Sequence, residues 1–187
     1  TFSGLNRYTE AIADCTQAIL LEPTEEWYWY SRGYAYSHLH QYPEALVNLT
    51  KAVVLYPDYS TGYAERCYVF SQLDEYARAM NDCNHAIDLN PENAFAFASR
   101  CTLHRIRDEL ELAMEDCNRA IELDPSEAWA YLGRGNIHMD EGRYRKAVED
   151  FTAAIENDPR YATAYYNRGR AQRRLENLEG ALADLTQ

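Results

Sequence analysis

Residues 26–59 read EWYWYSRGYAYSHLHQYPEALVNLTKAVVLYPDY, and the framework of these 34 residues returns along the whole chain. Five of the six prolines are spaced 34 residues apart, and so are two sets of alanines. The columns are Pro23, Pro57, Pro91, Pro125 and Pro159; Ala11, Ala45, Ala79, Ala113, Ala147 and Ala181; and Ala18, Ala52, Ala86, Ala120 and Ala154. Three columns that share one period predict an array of 34-residue repeats.

Apolar residues within a repeat have the spacing of a single buried helix face. In the quoted repeat they are Ala45, Leu46, Leu49, Ala52 and Val53. The column proline ends that helix, and a small polar residue directly after it is a good N-cap for the next helix. We expect Thr24, Asp58 and Ser126 to be such caps. Each repeat is therefore predicted to be an antiparallel helix pair.

Composition narrows the classes of protein that fit. The chain has 187 residues, a formal charge of −12 and 47% apolar residues, which is enough for a packed core. A strongly acidic chain is a poor match for nucleic acid. The mean hydropathy is −0.58 and no apolar run is long enough to span a membrane. We therefore expect no nucleic-acid and no membrane partner.

The quoted repeat resembles the tetratricopeptide repeat, whose pattern is W-x2-L-G-x2-Y, then A-x3-F, A and P. The matching residues are Trp29, Gly33, Tyr36, Ala45, Leu49, Ala52 and Pro57. The resemblance implies an all-α, right-handed superhelical solenoid of antiparallel helix pairs over residues 1–187. The repeats would be 26–59, 60–93, 94–127 and 128–161, with partial ones at 1–25 and 162–187. Because both ends fall inside a repeat, we expect a piece of a longer protein.

The main departure from the pattern is a column of arginines at the position of its leucine. The arginine column is Arg32, Arg66, Arg100, Arg134 and Arg168, and an acidic column follows at Asp14, Asn48, Asp82, Asp116, Asp150 and Asp184. Each arginine could meet the acid of its own repeat or of the preceding one. Partly buried ion pairs are favoured over a row of anion sites, because an unpaired buried arginine is costly. We predict that Asp82 and Asp116 each accept hydrogen bonds from a column arginine.

The cysteines and histidines give no sign of catalysis or of a cofactor. Cys15, Cys83 and Cys117 stand in the column of Leu49 and Phe151, and Cys67 and Cys101 stand in the column of Gly33 and Gly135. Core packing therefore explains them better than metal ligation does. We expect five reduced, mostly buried thiols, no metal, no cofactor and no enzyme active site, and reduced thiols favour an intracellular, cytoplasmic location.

The resemblance also places a binding groove along the first helix of each repeat. Inward positions there carry large side chains that the core columns do not require, as partner-binding surfaces do. The candidate partner-binding residues are Trp27, Tyr30, Tyr34, Tyr68, Phe95, Trp129, Asn136, Tyr166, Asn167, Arg170, Arg173 and Arg174. Some of the aromatic residues could instead pack between neighbouring first helices.

Residues 160–174 contain five arginines and no acid. The groove is predicted to change from aromatic to basic, so a partner would set apolar side chains against Trp27 and acidic groups near Arg170 and Arg174. The arginines could equally stabilise the end of a helix.

Two specific family functions do not transfer. The carboxylate clamp of certain co-chaperones is matched only by Asn136 and Asn167, with Leu132 in place of its first lysine. The asparagine ladder of O-linked glycosyltransferase repeats falls on Ser31, Glu65, Ser99, Gly133 and Asn167, where four of five positions fail.

We therefore expect a scaffold that binds a partner protein or peptide with apolar or aromatic and acidic residues. The alternatives are the regulatory or substrate-docking arm of a larger enzyme and, less favoured, a module that self-associates end to end.

Overall fold

The computed structural model describes residues 2–175, with side chains from residue 7 onward, and this part of the chain contains ten α-helices and no strand. The helices are α1 (Phe2–Leu21), α2 (Glu26–His38), α3 (Tyr42–Leu55), α4 (Ser60–Gln72), α5 (Tyr76–Leu89), α6 (Ala94–Ile106), α7 (Leu110–Leu123), α8 (Ala128–Asp140), α9 (Tyr144–Asn157) and α10 (Ala162–Arg174). We call α2, α4, α6, α8 and α10 first helices, and α3, α5, α7 and α9 second helices. The predicted all-α array of helix pairs is confirmed.

The chain divides into two compact units, which are described separately below. The N-terminal unit is Thr1–Ala96, and α1 to α5 pack within it in sequence, each helix against the next. The C-terminal unit is Phe97–Gln187, where α7 to α10 pack in the same way. The extent of a single array over 1–187, with the repeat bounds given above, stays a prediction.

The two alanine columns lie at the centre of the helix pairs. From Ala45 to Ala154 every member is fully buried, since only a methyl group fits where two helices approach closely. Ala11 and Ala18 are half-buried on α1, and Ala181 lies outside the described residues.

A left-handed residue closes the turn between the two helices of each pair. The residues with positive φ are His40, Asp74, Asp108 and Gly142, again 34 residues apart. Glycine adopts this conformation without a steric penalty, and aspartate tolerates it better than most residues. The repeat period therefore extends to the backbone conformation of the turns.

The predicted N-caps are wrong. The N-cap positions of α2, α4 and α8 are Glu25, Tyr59 and Glu127, one residue after Thr24, Asp58 and Ser126. Instead, the side chain of the residue before the proline accepts a hydrogen bond from the backbone of the connection between the helices. Asp124 and Asp158 each accept the backbone N–H two residues further on, at 2.9 and 3.0 Å, as in an Asx turn.

The arginine column pairs with the second helix of its own repeat. Arg66 donates through Nε and Nη2 to the two carboxylate oxygens of Asp82 at 2.6 and 2.9 Å. Arg100 binds Asp116 in the same way at 2.7 and 2.8 Å. The prediction for Asp82 and Asp116 is confirmed, and the bidentate geometry makes these strong charge-assisted hydrogen bonds.

Arg32, Arg66, Arg134 and Arg168 also donate hydrogen bonds to the helix that precedes their own. Nη1 of Arg134 donates to Asn118 at 2.9 Å while its other nitrogens bind Asp150, and the hydrogen bonds to Asp150 raise the pKa of Arg134. Arg168 likewise donates to Thr152 at 3.1 Å, whereas its column partner Asp184 lies outside the described residues. These four arginines therefore tie together helices of two successive repeats.

An aromatic ring lies beneath each guanidinium group. The ring belongs to the residue three positions earlier on the same helix, at 5.0 to 5.6 Å from the guanidinium carbon, within the range of a cation–π contact. The pairs are Trp29 with Arg32, Tyr63 with Arg66, Phe97 with Arg100, Tyr131 with Arg134 and Tyr165 with Arg168.

Replacing Asp116 with alanine is expected to lower the free energy of unfolding by about 2–3 kcal/mol, because it removes the carboxylate that the partly buried Arg100 binds in bidentate fashion. Asp116→Asn is the matched control, since Asn48 occupies the same column and accepts from Arg32 Nε at 2.8 Å. The asparagine variant should lose clearly less. Chemical denaturation measures both, and a loss below about 0.5 kcal/mol for Asp116→Ala would indicate a solvated pair.

The prediction of five reduced thiols is wrong. Disulfide bonds join Cys67 to Cys83 and Cys101 to Cys117, and only Cys15 is free among the described residues. The predicted burial is right for the four bonded cysteines, which are fully buried, whereas Cys15 is half-buried. The cysteines therefore no longer favour an intracellular, cytoplasmic location, which stays a prediction.

The physical reason is that the two cysteine columns face each other across the helix pair. In both disulfides the Cα atoms are 5.4 Å apart. Where the first column holds glycine, the second holds a large side chain that fills its space. A Cβ atom added at Gly33 would lie 2.9 Å from Leu49 Cγ, and one at Gly135 only 2.6 Å from Phe151 Cε1. A pair of bonded cysteines fills the same volume as glycine opposite a large side chain.

Thiol titration in denaturant is expected to find one reactive thiol without reductant and five with it. Each disulfide closes a loop of about 16 residues and contributes about 3 kcal/mol, so reductant should lower the melting temperature. The variant C67G/C83L, which copies Gly33 and Leu49, should remain folded and respond less to reductant. Five reactive thiols without reductant would contradict the disulfide assignment.

Candidate functional site

The aromatic patch of the N-terminal unit consists of Trp27, Tyr30 and Tyr34, one turn apart on α2. The side chains of Trp27 and Tyr34 are 57% and 37% exposed, whereas Tyr30 is half-buried between them. The ring of Tyr30 lies 5.6 Å from Trp27 and 6.1 Å from Tyr34. The predicted aromatic residues of α2 therefore form one continuous surface with two exposed members.

The other predicted aromatic residues are more deeply packed, with one exception. Tyr68 and Phe95 are half-buried with ring centroids 6.2 Å apart in the N-terminal unit. Trp129 is half-buried and stacks on Tyr161 in the C-terminal unit. Tyr166 on α10 is 55% exposed and lies below the guanidinium of Arg170.

The two predicted asparagines bind each other. Asn167 Nδ2 donates to Asn136 Oδ1 at 2.9 Å, which links α10 to α8, and Asn167 is buried. Arg170 donates to the free oxygen of the Asn167 amide at 3.4 Å. These asparagines hold α8, α10 and Arg170 in a fixed relation.

The predicted arginines of α10 line a cavity, which we call the basic cavity. It has a volume of about 390 Å³ and is lined by Met139, Tyr144, Arg170, Arg173 and Arg174. All three arginines are exposed residues. The cavity offers several guanidinium donors to one ligand, an arrangement that suits a carboxylate or another oxyanion.

Glu65 on α4, where an asparagine ladder would have asparagine, is a functional candidate that the sequence did not predict. It is 5% exposed, and Ser37 Oγ on α2 donates to its Oε1 at 2.6 Å. Burial raises the pKa of Glu65 to about 7, while the Ser37 hydrogen bond acts in the opposite direction. Burial also raises the pKa of Tyr30 and of Tyr68, and the charge of Glu65 adds to both effects.

A signal for Glu65 was present in the sequence. The same position of the other repeats holds Ser31, Ser99, Gly133 and Asn167, so Glu65 is the single charged residue in its column. Strongly shifted carboxyl groups are concentrated at functional sites, which makes Glu65 a candidate site residue.

His104 and His138, which stand where the quoted repeat has Tyr36, pair with neighbouring acids. His104 Nδ1 lies 2.6 Å from Glu109 Oε2, and His138 Nε2 lies 3.6 Å from Asp150. Burial lowers the pKa of His138. Within the described part of the chain, no three His, Cys, Asp or Glu residues are grouped as a metal site requires.

Sequence profiles of the family Tetratricopeptide repeat match residues 63–93 and 132–187. The chain contains tetratricopeptide repeats. Solved structures share its fold, whereas no curated protein sequence matches significantly.

Three solved structures illustrate the likeness. YrrB, a TPR protein with an unusual peptide-binding site, is 27% identical, covers 92% of this chain and 89% of its own, and has a TM-score of 0.58. A tetratricopeptide repeat protein from Parabacteroides merdae is 21% identical over 98% of this chain and 78% of its own, with a TM-score of 0.66. The APC/C hetero-tetramer Cut9–Hcn1 matches at 17% identity with a TM-score of 0.84.

The present chain aligns with only part of the larger of these proteins. The Cut9–Hcn1 match covers 98% of this chain and 36% of the other. Among the described helices of these tetratricopeptide repeats, none is long and apolar enough to cross a membrane.

The raised pKa of Glu65 predicts a pH-dependent stability. The folded state keeps this proton up to about pH 7, whereas the unfolded chain releases it near pH 4.5, so the folded state binds more protons in between. The free energy of unfolding should therefore fall as the pH rises through this range, by about 3 kcal/mol from Glu65. Glu65→Gln, which still accepts from Ser37, should remove this contribution. Parallel stability curves for parent and variant would contradict it.

Proposed function

We propose that this chain is a scaffold that binds a segment of a partner protein on the inward positions of its first helices. The observation that carries the proposal is the exposure of large aromatic side chains at these positions. Trp27 and Tyr166 are more than half exposed and Tyr34 is 37% exposed, although the core columns of the repeat do not require aromatic side chains there. Aromatic side chains of this kind dominate the energetics of many protein interfaces.

The basic cavity supports an acidic group on the partner. Arg170, Arg173 and Arg174 converge on it in a chain whose net charge is −12, so it is a local reversal of the prevailing charge. An aspartate, a glutamate or a terminal carboxylate would gain charge-assisted hydrogen bonds there. The proposed partner thus carries apolar or aromatic groups for the aromatic patch and a carboxylate for the basic cavity.

YrrB provides a precedent for peptide binding by a similar fold. Tetratricopeptide repeats support binding of a protein partner in general. In this proposal the aromatic patch and the basic cavity determine which chemical groups the partner carries. The aromatic patch lies on α2, whereas the basic cavity is lined by α10 together with Met139 of α8 and Tyr144 of α9, so each can be tested by itself.

Reversing the charge of the basic cavity is expected to abolish carboxylate binding without unfolding the chain. The probe is a labelled peptide of alternating leucine and glutamate with a free C-terminus, measured by fluorescence anisotropy. Arg170→Glu combined with Arg174→Glu should weaken it at least tenfold, about 1.4 kcal/mol, and remove most of its salt dependence.

Arg160→Glu is the matched control, because Arg160 is exposed in the same basic segment but does not line the cavity. It should bind nearly as the parent does, and all variants should melt at similar temperatures. If affinity holds in the double variant while the melting temperature falls, the arginines serve the fold and the proposed carboxylate site is wrong.

A further inference from the structure

Glu65 is a buried acid without a cation of its own. Ser37 is the one hydrogen-bond donor to its carboxylate among the described residues, and no Lys, Arg or His of that part of the chain lies within ion-pair distance. A buried carboxylate is stable as an ion only when it is paired. The column acids Asp82, Asp116 and Asp150 meet this requirement through their arginines, and Glu65 does not.

The repeat itself gives no reason for an acid at this place. Small or neutral residues hold the position in the other repeats, so the helices pair without a carboxylate there. Glu65 lies on α4 and its donor Ser37 on α2, two first helices that contact each other. The carboxylate is therefore located at the junction of two first helices.

Tyrosines from the same two helices lie near this junction. Tyr30 of the aromatic patch on α2 and Tyr68 on α4, one turn after Glu65, pack against the same buried cluster. The charge of Glu65 contributes to the raised pKa of both tyrosines. The Tyr30 ring meets Tyr59 at 5.1 Å, and the Tyr68 ring meets Phe95 at 6.2 Å. A carboxylate beside tyrosine faces attracts a planar cation, which can bind the acid and stack on a ring at once.

The charge of the N-terminal unit favours the same ligand. Residues 1–96 contain five Lys and Arg against thirteen Asp and Glu, a net charge of −8. Of these five cations, Arg32 and Arg66 belong to the arginine column and Arg78 pairs with Glu75. The unit therefore attracts cations over its surface, which raises the rate at which a basic segment arrives.

We propose that Glu65 and the rings of Tyr30 and Tyr68 form a binding site for an arginine side chain of the partner segment. The guanidinium group donates to the carboxylate of Glu65 and lies against a tyrosine ring. This inference rests on the proposed scaffold function and adds a basic residue to the partner, next to the apolar groups that contact Trp27.

The test titrates blocked amino acids, as probes, into the whole chain. NMR signals of the glutamate carboxyl carbons and of the Trp27 indole are the readout. N-acetyl-arginine amide is expected to lower the pKa of Glu65 by about one unit at saturation, since it stabilises the ionised form tenfold. The neutral isostere N-acetyl-citrulline amide should have no such effect. N-acetyl-lysine amide at equal ionic strength should bind several-fold more weakly.

Glu65→Gln separates this site from the aromatic patch. The variant should bind N-acetyl-arginine amide about tenfold more weakly, yet N-acetyl-leucine amide should perturb its Trp27 indole as in the parent. Equal effects of the arginine and lysine probes, or of arginine and citrulline, would overturn the arginine site. If the arginine probe leaves Glu65 unchanged while the leucine probe still perturbs Trp27, the arginine site is wrong and the scaffold proposal stands. If neither probe acts, both are wrong.

Discussion

A guanidinium group that serves two repeats at once is the interaction on which the rest of this structure depends. Arg134 shows all of its parts: it binds Asp150 of its own repeat, donates to Asn118 of the preceding one and covers the ring of Tyr131. The donors of arginine lie in one plane, so a single side chain can bind in two directions while its face stacks on a ring. Stability of a repeat array is the sum of terms within repeats and terms between neighbours, and this residue contributes to both.

The inward surface is free to vary because the arginine, alanine and glycine or cysteine columns hold the helices together. The candidate sites all lie where the period of the sequence is broken. Trp27 and Tyr34 leave aromatic groups in solvent, Glu65 places an acid in a neutral column, and α10 gathers arginines in an acidic chain. In such an array, the residues that depart from the repeat pattern are therefore the best candidates for functional residues.

Most of the fold could be predicted because the period is visible in residues that have a direct physical role. Prolines end helices, alanines mark close approach, and the arginine and aspartate columns keep a constant separation that brings them together. The exact caps were missed by one residue, because side chains before the proline compete for the same backbone groups.

The disulfides were missed because each cysteine column was explained by itself. Cysteine occurs in both columns of a repeat or in neither over the four complete repeats, and that coincidence is the signal of a bonded pair. The candidate site was predictable only in part. Which inward residues pack and which are exposed depends on neighbouring side chains, so Trp27 and Trp129 have similar sequence contexts and different surroundings.

The claim that the arginine column holds the helices together is tested most directly by a double-mutant cycle on Arg134 and Asp150, the two charged partners within one repeat. Arg134→Leu restores the leucine of the family pattern, and Asp150→Leu removes its acceptor. Each single variant should lower the free energy of unfolding by about 3 kcal/mol, because it leaves the other charge buried without its partner. The double variant should recover much of this loss. The account predicts a coupling energy of about 2 kcal/mol or more from chemical denaturation. Additive losses, with a coupling energy below about 0.5 kcal/mol, would contradict it.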